Sequence, residues 1–419
     1  MCLFSLPLLL LSLAGHAGEL GELLQAALQH PQSRAAEIQS EAARAQQSAA
    51  SGRYFGSAVL SAGWHEYEAQ RVVGVYTPTT LPPPLIARDI SQLGVSYSLP
   101  IDLAGVIAAA RERARNDLAG AELAARQQTL LKLHQAGSAY HTLLAAEYQE
   151  DALARTRQRV EATHARILKE VELGHTAGVE ARFAASELMR LAADSAALYG
   201  AIAQARADLA EAVGHPVSMP ARQAAVIPAW EEIAPAATLP ARLAEAKRDA
   251  ARAQADESRR ALYPALSLDA NYFHNQGGGD SRDTWAVGGV VSLPLGVSQY
   301  READARRLGA QAAGEQHKAA LREAERQFAT LHAAYDAAVA DVRALEKEAE
   351  YREEVAAVQR EMQRLGSQTL ENLFRHERDL LDARYRLAQA KARAIAAWSA
   401  AQVLAGVPAA TYIARMDAQ

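Results

Sequence analysis

The chain is nearly free of cysteine, poor in aromatic residues and without a long apolar run beyond its first residues, and each shortage removes a class of protein. Cys2 is the only thiol, so neither a disulfide framework nor a cysteine-based metal centre can be built. Aromatic residues make up 6% of the sequence, while alanine supplies much of the apolar half; such a composition suits long, closely approaching helices rather than a broad globular core. The net charge is −5, and Lys and Arg alternate with Asp and Glu without forming a basic block, which leaves nucleic-acid binding unsupported. After residue 17 no stretch approaches the ~18 apolar residues of a transmembrane helix. His134 and His141 lie two helical turns apart, about 10 Å, too far to share one ion. Gly277-Gly278-Gly279-Asp280 lacks the following Lys-Ser/Thr of a phosphate loop.

What is present is written twice. Tyr97-Ser98-Leu99-Pro100 closes an alternating segment and opens a long Ala/Leu/Arg/Glu-rich stretch, and Val291-Ser292-Leu293-Pro294 does so again, Ser292 lying 194 residues after Ser98. In both copies a half-length helical segment precedes two alternating segments and a long helical stretch interrupted by Leu-Gly, at Leu173-Gly174 and Leu365-Gly366. A period this long exceeds the roughly 20–50 residues of solenoid units and marks a tandem duplication of one α+β unit. The expected division is a signal peptide over 1–17, with an apolar stretch ending in Ala14-Gly15-His16-Ala17, a first repeat over 18–220, a linker over 221–238, a second repeat over 239–410 and a tail over 411–419. An exported chain without a transmembrane helix is either soluble or spans a membrane as β-strands.

The alternating segments favour strands near 56–68, 90–100, 264–275 and 284–295, with a loop at Pro78 and Pro82-Pro83-Pro84 between the first two. Each has an apolar face and a small or polar face. Ala58, Leu60, Ala62 and Trp64 lie on one side of the first, Leu93, Val95, Tyr97 and Leu99 of the second, Leu266, Leu268, Ala270 and Tyr272 of the third, Trp285, Val287, Gly289 and Val291 of the fourth. Strands of about ten residues, apolar outside and polar inside, form membrane barrel walls. Leu93, Val95, Leu268 and Val287 are the residues assigned to lipid, and Trp64, Tyr67, Tyr272 and Trp285 suit an aromatic belt. Four strands cannot close a barrel, which needs about eight, so copies must associate. Two copies give eight strands and three give twelve.

Hairpins are expected over 105–214 and 297–406. In the second, Leu321, Phe328, Tyr335 and Val342 recur every seven residues with Ala324, Leu331, Ala338 and Leu345 between them, an unbroken a/d seam. Leu130, Leu133, Gly137, Tyr140, Leu144 and Tyr148 repeat the spacing less regularly. The roughly 70 residues before Gly174 give about 100 Å of helix, enough to bridge a periplasm.

This plan resembles the outer-membrane efflux protein family, the TolC-like channels. Ala26-Ala27-Leu28-Gln29-His30-Pro31 is similar to the start of the family's first repeat, Arg259-Arg260-Ala261-Leu262-Tyr263-Pro264-Ala265-Leu266 to the entry into its third strand, and Trp285-Ala286-Val287-Gly288 with Ser292-Leu293-Pro294-Leu295 to its fourth. Leu365-Gly366 and Asp379-Leu380-Leu381-Asp382-Ala383-Arg384 resemble the second bend and the last helix. The resemblance implies a mostly α fold with a small membrane β-barrel portion: a homotrimer with a twelve-stranded barrel in the outer membrane of a Gram-negative bacterium and an α-helical tunnel in the periplasm. It also implies a periplasmic adaptor and an inner-membrane pump as partners, of resistance-nodulation-division type most often, with no cofactor, metal or catalysis. In the family, aspartates after the second bend form acidic rings at the periplasmic tip; here those positions fall on Asn372 and Arg375, with Glu371 beside the first, so the expected gate is steric or a Glu371/Arg375 pairing between chains, near the bends at Gly174 and Gly366. The alternative is a periplasmic coiled-coil adaptor or scaffold, which would leave the four amphipathic strands unexplained.

Overall fold

A computed structural model describes residues 19–74, 83–217 and 225–417. The expected signal peptide with Cys2, the loop prolines Pro78 and Pro82, and the first residues of the expected linker lie outside them. The first copy supplies helices α1 (Glu19–Leu28) and α2 (Pro31–Gly52), strands β1 (Ser57–Val73) and β2 (Leu85–Ile101), and helices α3 (Val106–Glu172) and α4 (Gly178–Val213). The second supplies α5 (Leu239–Arg260), β3 (Ala265–Gly277), β4 (Asp280–Ser292), α6 (Val297–Arg364) and α7 (Leu370–Ala405), followed by α8 (Ala409–Asp417). The chain is thus mostly helical with one small sheet.

The strands outrun the sequence expectation. β1 and β2 hold 17 residues each because, after a register shift between Glu66 and Arg71 that offers no apolar alternation to read, the ladder resumes at Arg71↔Ala87 and runs to Val73↔Leu85. Residues 411–417, expected as a tail, form most of α8: Tyr412, Ile413 and Met416 are buried, a stripe too short to register as periodicity. Trp230, in the segment expected as a linker, packs on α6, stacked 4.8 Å from the His332 ring and 5.2 Å from Tyr335, while the Tyr335 hydroxyl donates to the Pro228 carbonyl at 2.6 Å.

Two compact units are present, and neither is one of the repeats: each draws on both. The first gathers the described residues of Met1–Glu37, Ala124–Ala241 and Leu321–Gln419. Its core follows the seam, with Phe328, Tyr335, Val342 and Leu345 of α6 and Leu130, Leu133, Tyr140 and Leu144 of α3 all buried. Interhelical ion pairs flank it, Arg206 to Glu147 at 2.8 Å between α4 and α3 and Arg384 to Glu353 at 2.8 Å between α7 and α6. The second unit gathers Ile38–Leu123 and Arg242–Ala320. There α2 and α5 accompany the first parts of the long helices, through Arg44 to Glu122 at 2.9 Å and Arg113 to Glu257 at 2.7 Å. Since α4 and α7 hold 36 residues against 67 and 68 for α3 and α6, the short helices α2 and α5 supply partners that a simple hairpin would leave out.

The second unit also holds the sheet, antiparallel in the order β1-β2-β3-β4 with β1 and β4 each paired on one side only. The duplicated hairpins are joined by pairing of β2 with β3, from Ser91↔Gln276 to Ile101↔Leu266. Gly278 and Gly279, with φ of 60° and 89°, close the β3–β4 hairpin between the paired Gly277 and Asp280 as a type I′ turn, which demands φ > 0 at both central residues. Asp102, just past β2, accepts from the Ile107 and Ala108 N–H groups at 3.1 and 3.0 Å and so caps the start of α3.

Candidate functional site

Directly opposed residues of a ladder share a face, so register alone sorts the sheet. Leu60↔Val95, Val95↔Tyr272 and Tyr272↔Trp285 form one row across four strands. Ala58, Tyr97, Ala270 and Val287 form the next, and Leu99, Leu268 and Gly289 the one after. Leu93, Val95, Leu268 and Val287 therefore lie on a single face, and all four are exposed within the chain, by 52, 46, 48 and 73%. In the other direction the same face turns polar: His274 sits 2.7 Å from Asp283, and Ser91, Gln276 and Ser281 follow. An apolar row bounded by polar groups is what a lipid layer of limited thickness selects.

The opposite face carries Ser61, Ser96, Asn271 and Thr284. Gln92 donates to the Asn275 side chain at 2.9 Å, and Asn275 to Thr284 at 3.2 Å. Val59 and Val290 are apolar on this face too, and so is Phe273. It lies across Gly94, its strand partner, so close that a Cβ on Gly94 would come within 2.1 Å of the ring; the missing side chain at 94 was the signal. Trp64, Tyr272 and Trp285 lie on the apolar face. Tyr67 does not join the belt, since it falls in an irregular part of β1 where the register shifts, with the Arg71 guanidinium 5.1 Å above its ring.

In the first unit, both helical hairpins end in the same backbone device. Gly174 and Gly366 have φ of 75°. The His175 N–H reaches the Glu170 carbonyl and the Gly174 N–H that of Val171, at 2.8 and 3.0 Å; Ser367 to Met362 and Gly366 to Gln363 repeat this at 2.9 and 3.0 Å. These are Schellman motifs, and only glycine holds the left-handed position without strain. Leu173 and Leu365 stay exposed at both ends. Thr369 caps α7 by accepting from the Asn372 N–H at 3.2 Å, and Arg375 donates to Glu371 at 3.0 Å on the same exposed helix face.

Two buried carboxylates near these ends escaped sequence reasoning. Glu377 of α7 accepts from Arg159 of α3 at 2.7 Å and faces Arg360 of α6 at 3.4 Å, while Glu187 of α4 pairs with Arg190 and, at 3.4 Å, with Arg378. The signal was a carboxylate on an apolar stripe: Ala184, Glu187 and Leu191, or Phe374, Glu377 and Leu380, are all buried. One partner removed would leave a buried charge, a loss of about 3–5 kcal/mol.

The histidines singled out by spacing are structural. His134 accepts or donates at 2.7 Å to Ser399, itself 2.5 Å from the Tyr412 hydroxyl; burial lowers the His134 pKa and raises that of Tyr412, and Ser399 is sealed from solvent, so this trio is a packing network. His141 is buried with both ring nitrogens unpaired. Among the described residues no three metal-ligating side chains cluster, and no helix is long and apolar enough to cross a membrane.

The duplicated hairpins, the four-stranded sheet and the two long helical pairs together define one α+β fold. Solved structures share it along nearly the whole chain. The outer-membrane protein VceC of Vibrio cholerae is 20% identical with a TM-score of 0.75, covering 93% of this chain and 96% of its own. The Campylobacter jejuni CmeC outer-membrane channel is 15% identical with a TM-score of 0.78, covering 96% and 89%. The open-state Neisseria gonorrhoeae MtrE outer-membrane channel is 18% identical with a TM-score of 0.74, covering 92% and 88%. No family model matches the sequence, and neither does any curated protein.

Proposed function

We propose that the chain is one subunit of a homotrimeric outer-membrane channel that passively conducts substrates delivered by an inner-membrane pump, of resistance-nodulation-division type, through a periplasmic adaptor, in a Gram-negative bacterium. The observation that carries this reading is the sheet: an exposed apolar and aromatic row on one face and a polar network on the other, in four strands whose outer two lack a second neighbour. Exposed strand edges invite further pairing, and three such sheets give a closed twelve-stranded wall with no edge left in lipid. Leu93, Val95, Leu268 and Val287 then face lipid, and the polar face lines the lumen. The hairpin ends at Gly174 and Gly366 form the periplasmic tip, where Glu371, Asn372 and Arg375 govern the constriction. Glu371 and Arg375 already close on one helix, which favours a steric gate over a pairing between chains. No catalysis, cofactor or resident metal enters this function.

The test is assembly. In mild detergent the protein should run as a heat-modifiable trimer and should fractionate with salt-washed outer membranes. A stable, detergent-free monomer recovered from periplasmic extract would instead favour the adaptor or scaffold reading.

A further inference from the structure

On the polar face of the sheet, one charge stands without a counter-charge. Among the described residues of the four rows from Ser267 to Phe273, Asp269 is the only ionisable side chain. Its row otherwise holds Ser57, Ser98 and Gly288, and a Cβ added to Gly288 would meet nothing within 4 Å. No bulky neighbour in the row therefore shields the carboxylate. The Ser267 hydroxyl donates to it at 3.0 Å, and among the described residues no Lys, Arg or His forms an ion pair with it. A neutral donor fixes the orientation of a carboxylate and leaves its charge whole.

Two other charged groups show the contrast. On the apolar face Asp283 lies 2.7 Å from His274, and at the end of the second hairpin Arg375 lies 3.0 Å from Glu371, beside the neutral Asn372. Along the polar face the next cation on β4 is Arg282, six residues from Gly288 and so about 20 Å away. Position adds to this isolation. β3 begins at Ala265, so Asp269 sits near the helical end of the sheet, next to the junctions with α5 and α6.

We propose that Asp269 sets the charge preference of the channel, favouring small inorganic cations over anions where the helical part meets the strands. The inference rests on the reading of the polar face as the lumen wall of a trimer. Twelve strands about 4.8 Å apart and tilted about 40° enclose a radius of about 12 Å. Three inward carboxylates then stand about one Debye length from the axis at physiological salt, and their fields add there. Rings of Asp or Glu make a pore prefer cations, and low-dielectric walls focus the field. The Glu371 and Arg375 pair, closed to zero net charge, adds no such bias.

The experiment is the reversal potential of the purified full-length protein in a planar bilayer under a potassium chloride gradient. Wild type should pass K⁺ over Cl⁻ by about two- to fivefold near ~0.1 M salt and lose most of that preference near ~1 M, where the screening length falls to about 3 Å. Asp269→Asn, which keeps the size of the side chain, should lower the ratio about twofold or more at the lower salt and leave it unchanged at the higher. If that variant does not insert, Asp269→Cys carries the comparison: a sulfonatoethyl thiol reagent should restore the preference and a trimethylammonium reagent should reverse it. A wild type without cation preference, or a ratio that neither the substitution nor either label alters, overturns the assignment. A wild-type protein that inserts but conducts nothing overturns the channel reading instead.

Discussion

In the unit that contains α4, α7 and α8, Trp398, Tyr140, Tyr412 and Phe374 are fully buried, whereas in the unit that contains the sheet Trp64, Leu60, Trp285 and Val287 stand exposed. Every one of the largest fully buried side chains belongs to the first unit. The difference teaches where each finds its solvent. The helical unit removes apolar area from water with its own chain, while the apolar row of the sheet is left uncovered by it, and the proposed channel would cover that row with lipid and the strand edges with further strands.

Substitutions can break or sharpen this contrast. The largest effect is expected in the helical core: Trp398→Ala should destabilise by about 3–5 kcal/mol, read as a loss of thermal stability, whereas Trp285→Ala on the exposed row should leave the detergent-solubilised melting temperature nearly unchanged. On the sheet, Val95→Arg should impair insertion by roughly 2–4 kcal/mol near the bilayer centre, while Ser96→Arg, one residue away on the polar face, should be tolerated. Equal damage from both would abolish the distinction between the faces.

The helical unit also predicts a response to acid. Burial pushes the His141 imidazole down to about 4, so the unfolded chain takes up this proton before the folded one does. Its contribution is complete above the ordinary histidine value near 6.5 and is lost as pH falls toward 4, at about 1.4 kcal/mol per pH unit. His141→Leu should flatten this slope in urea titrations compared at pH 7 and 5, and an unchanged slope would assign the acid sensitivity to other groups. The smallest effect belongs to the exposed tip pair. Glu371→Ala or Arg375→Ala should alter stability by no more than about 0.5 kcal/mol yet raise conductance if the pair shapes the constriction, and unchanged conductance in both would move the constriction elsewhere.

Much of this was legible because duplication printed each signal twice. The Leu-Pro ends of β2 and β4 and the Leu-Gly ends of the hairpins fall within two residues of observed boundaries, and the seam of α6 is buried except at the half-buried Leu321 and Leu331. What escaped lacked period or length. The polar extension of β1 has no alternation, α8 buries three side chains within nine residues, and Trp230 stands alone in a Pro- and Ala-rich segment. Glu187 and Glu377 sit where apolar residues belong, and only the arginines brought from other helices explain them. Glu371, Asn372 and Arg375 were singled out by resemblance, and the i,i+4 closure of Arg375 on Glu371 follows from helix geometry that the spacing already contained.

The ladder between β2 and β3 has a consequence in time. It joins Ser91 to Gln276, so the strands of the first copy wait for nearly two-thirds of the chain before their neighbours exist. Contacts so distant in sequence form slowly, and until they do β1 and β2 are a lone hairpin with an apolar face and two open edges, marginal by itself in water. If the chain is the proposed outer-membrane channel, whatever carries it to the membrane must hold it back from self-association during that interval, and a strain lacking periplasmic holdase chaperones should accumulate it as aggregate before any defect in conduction can be seen.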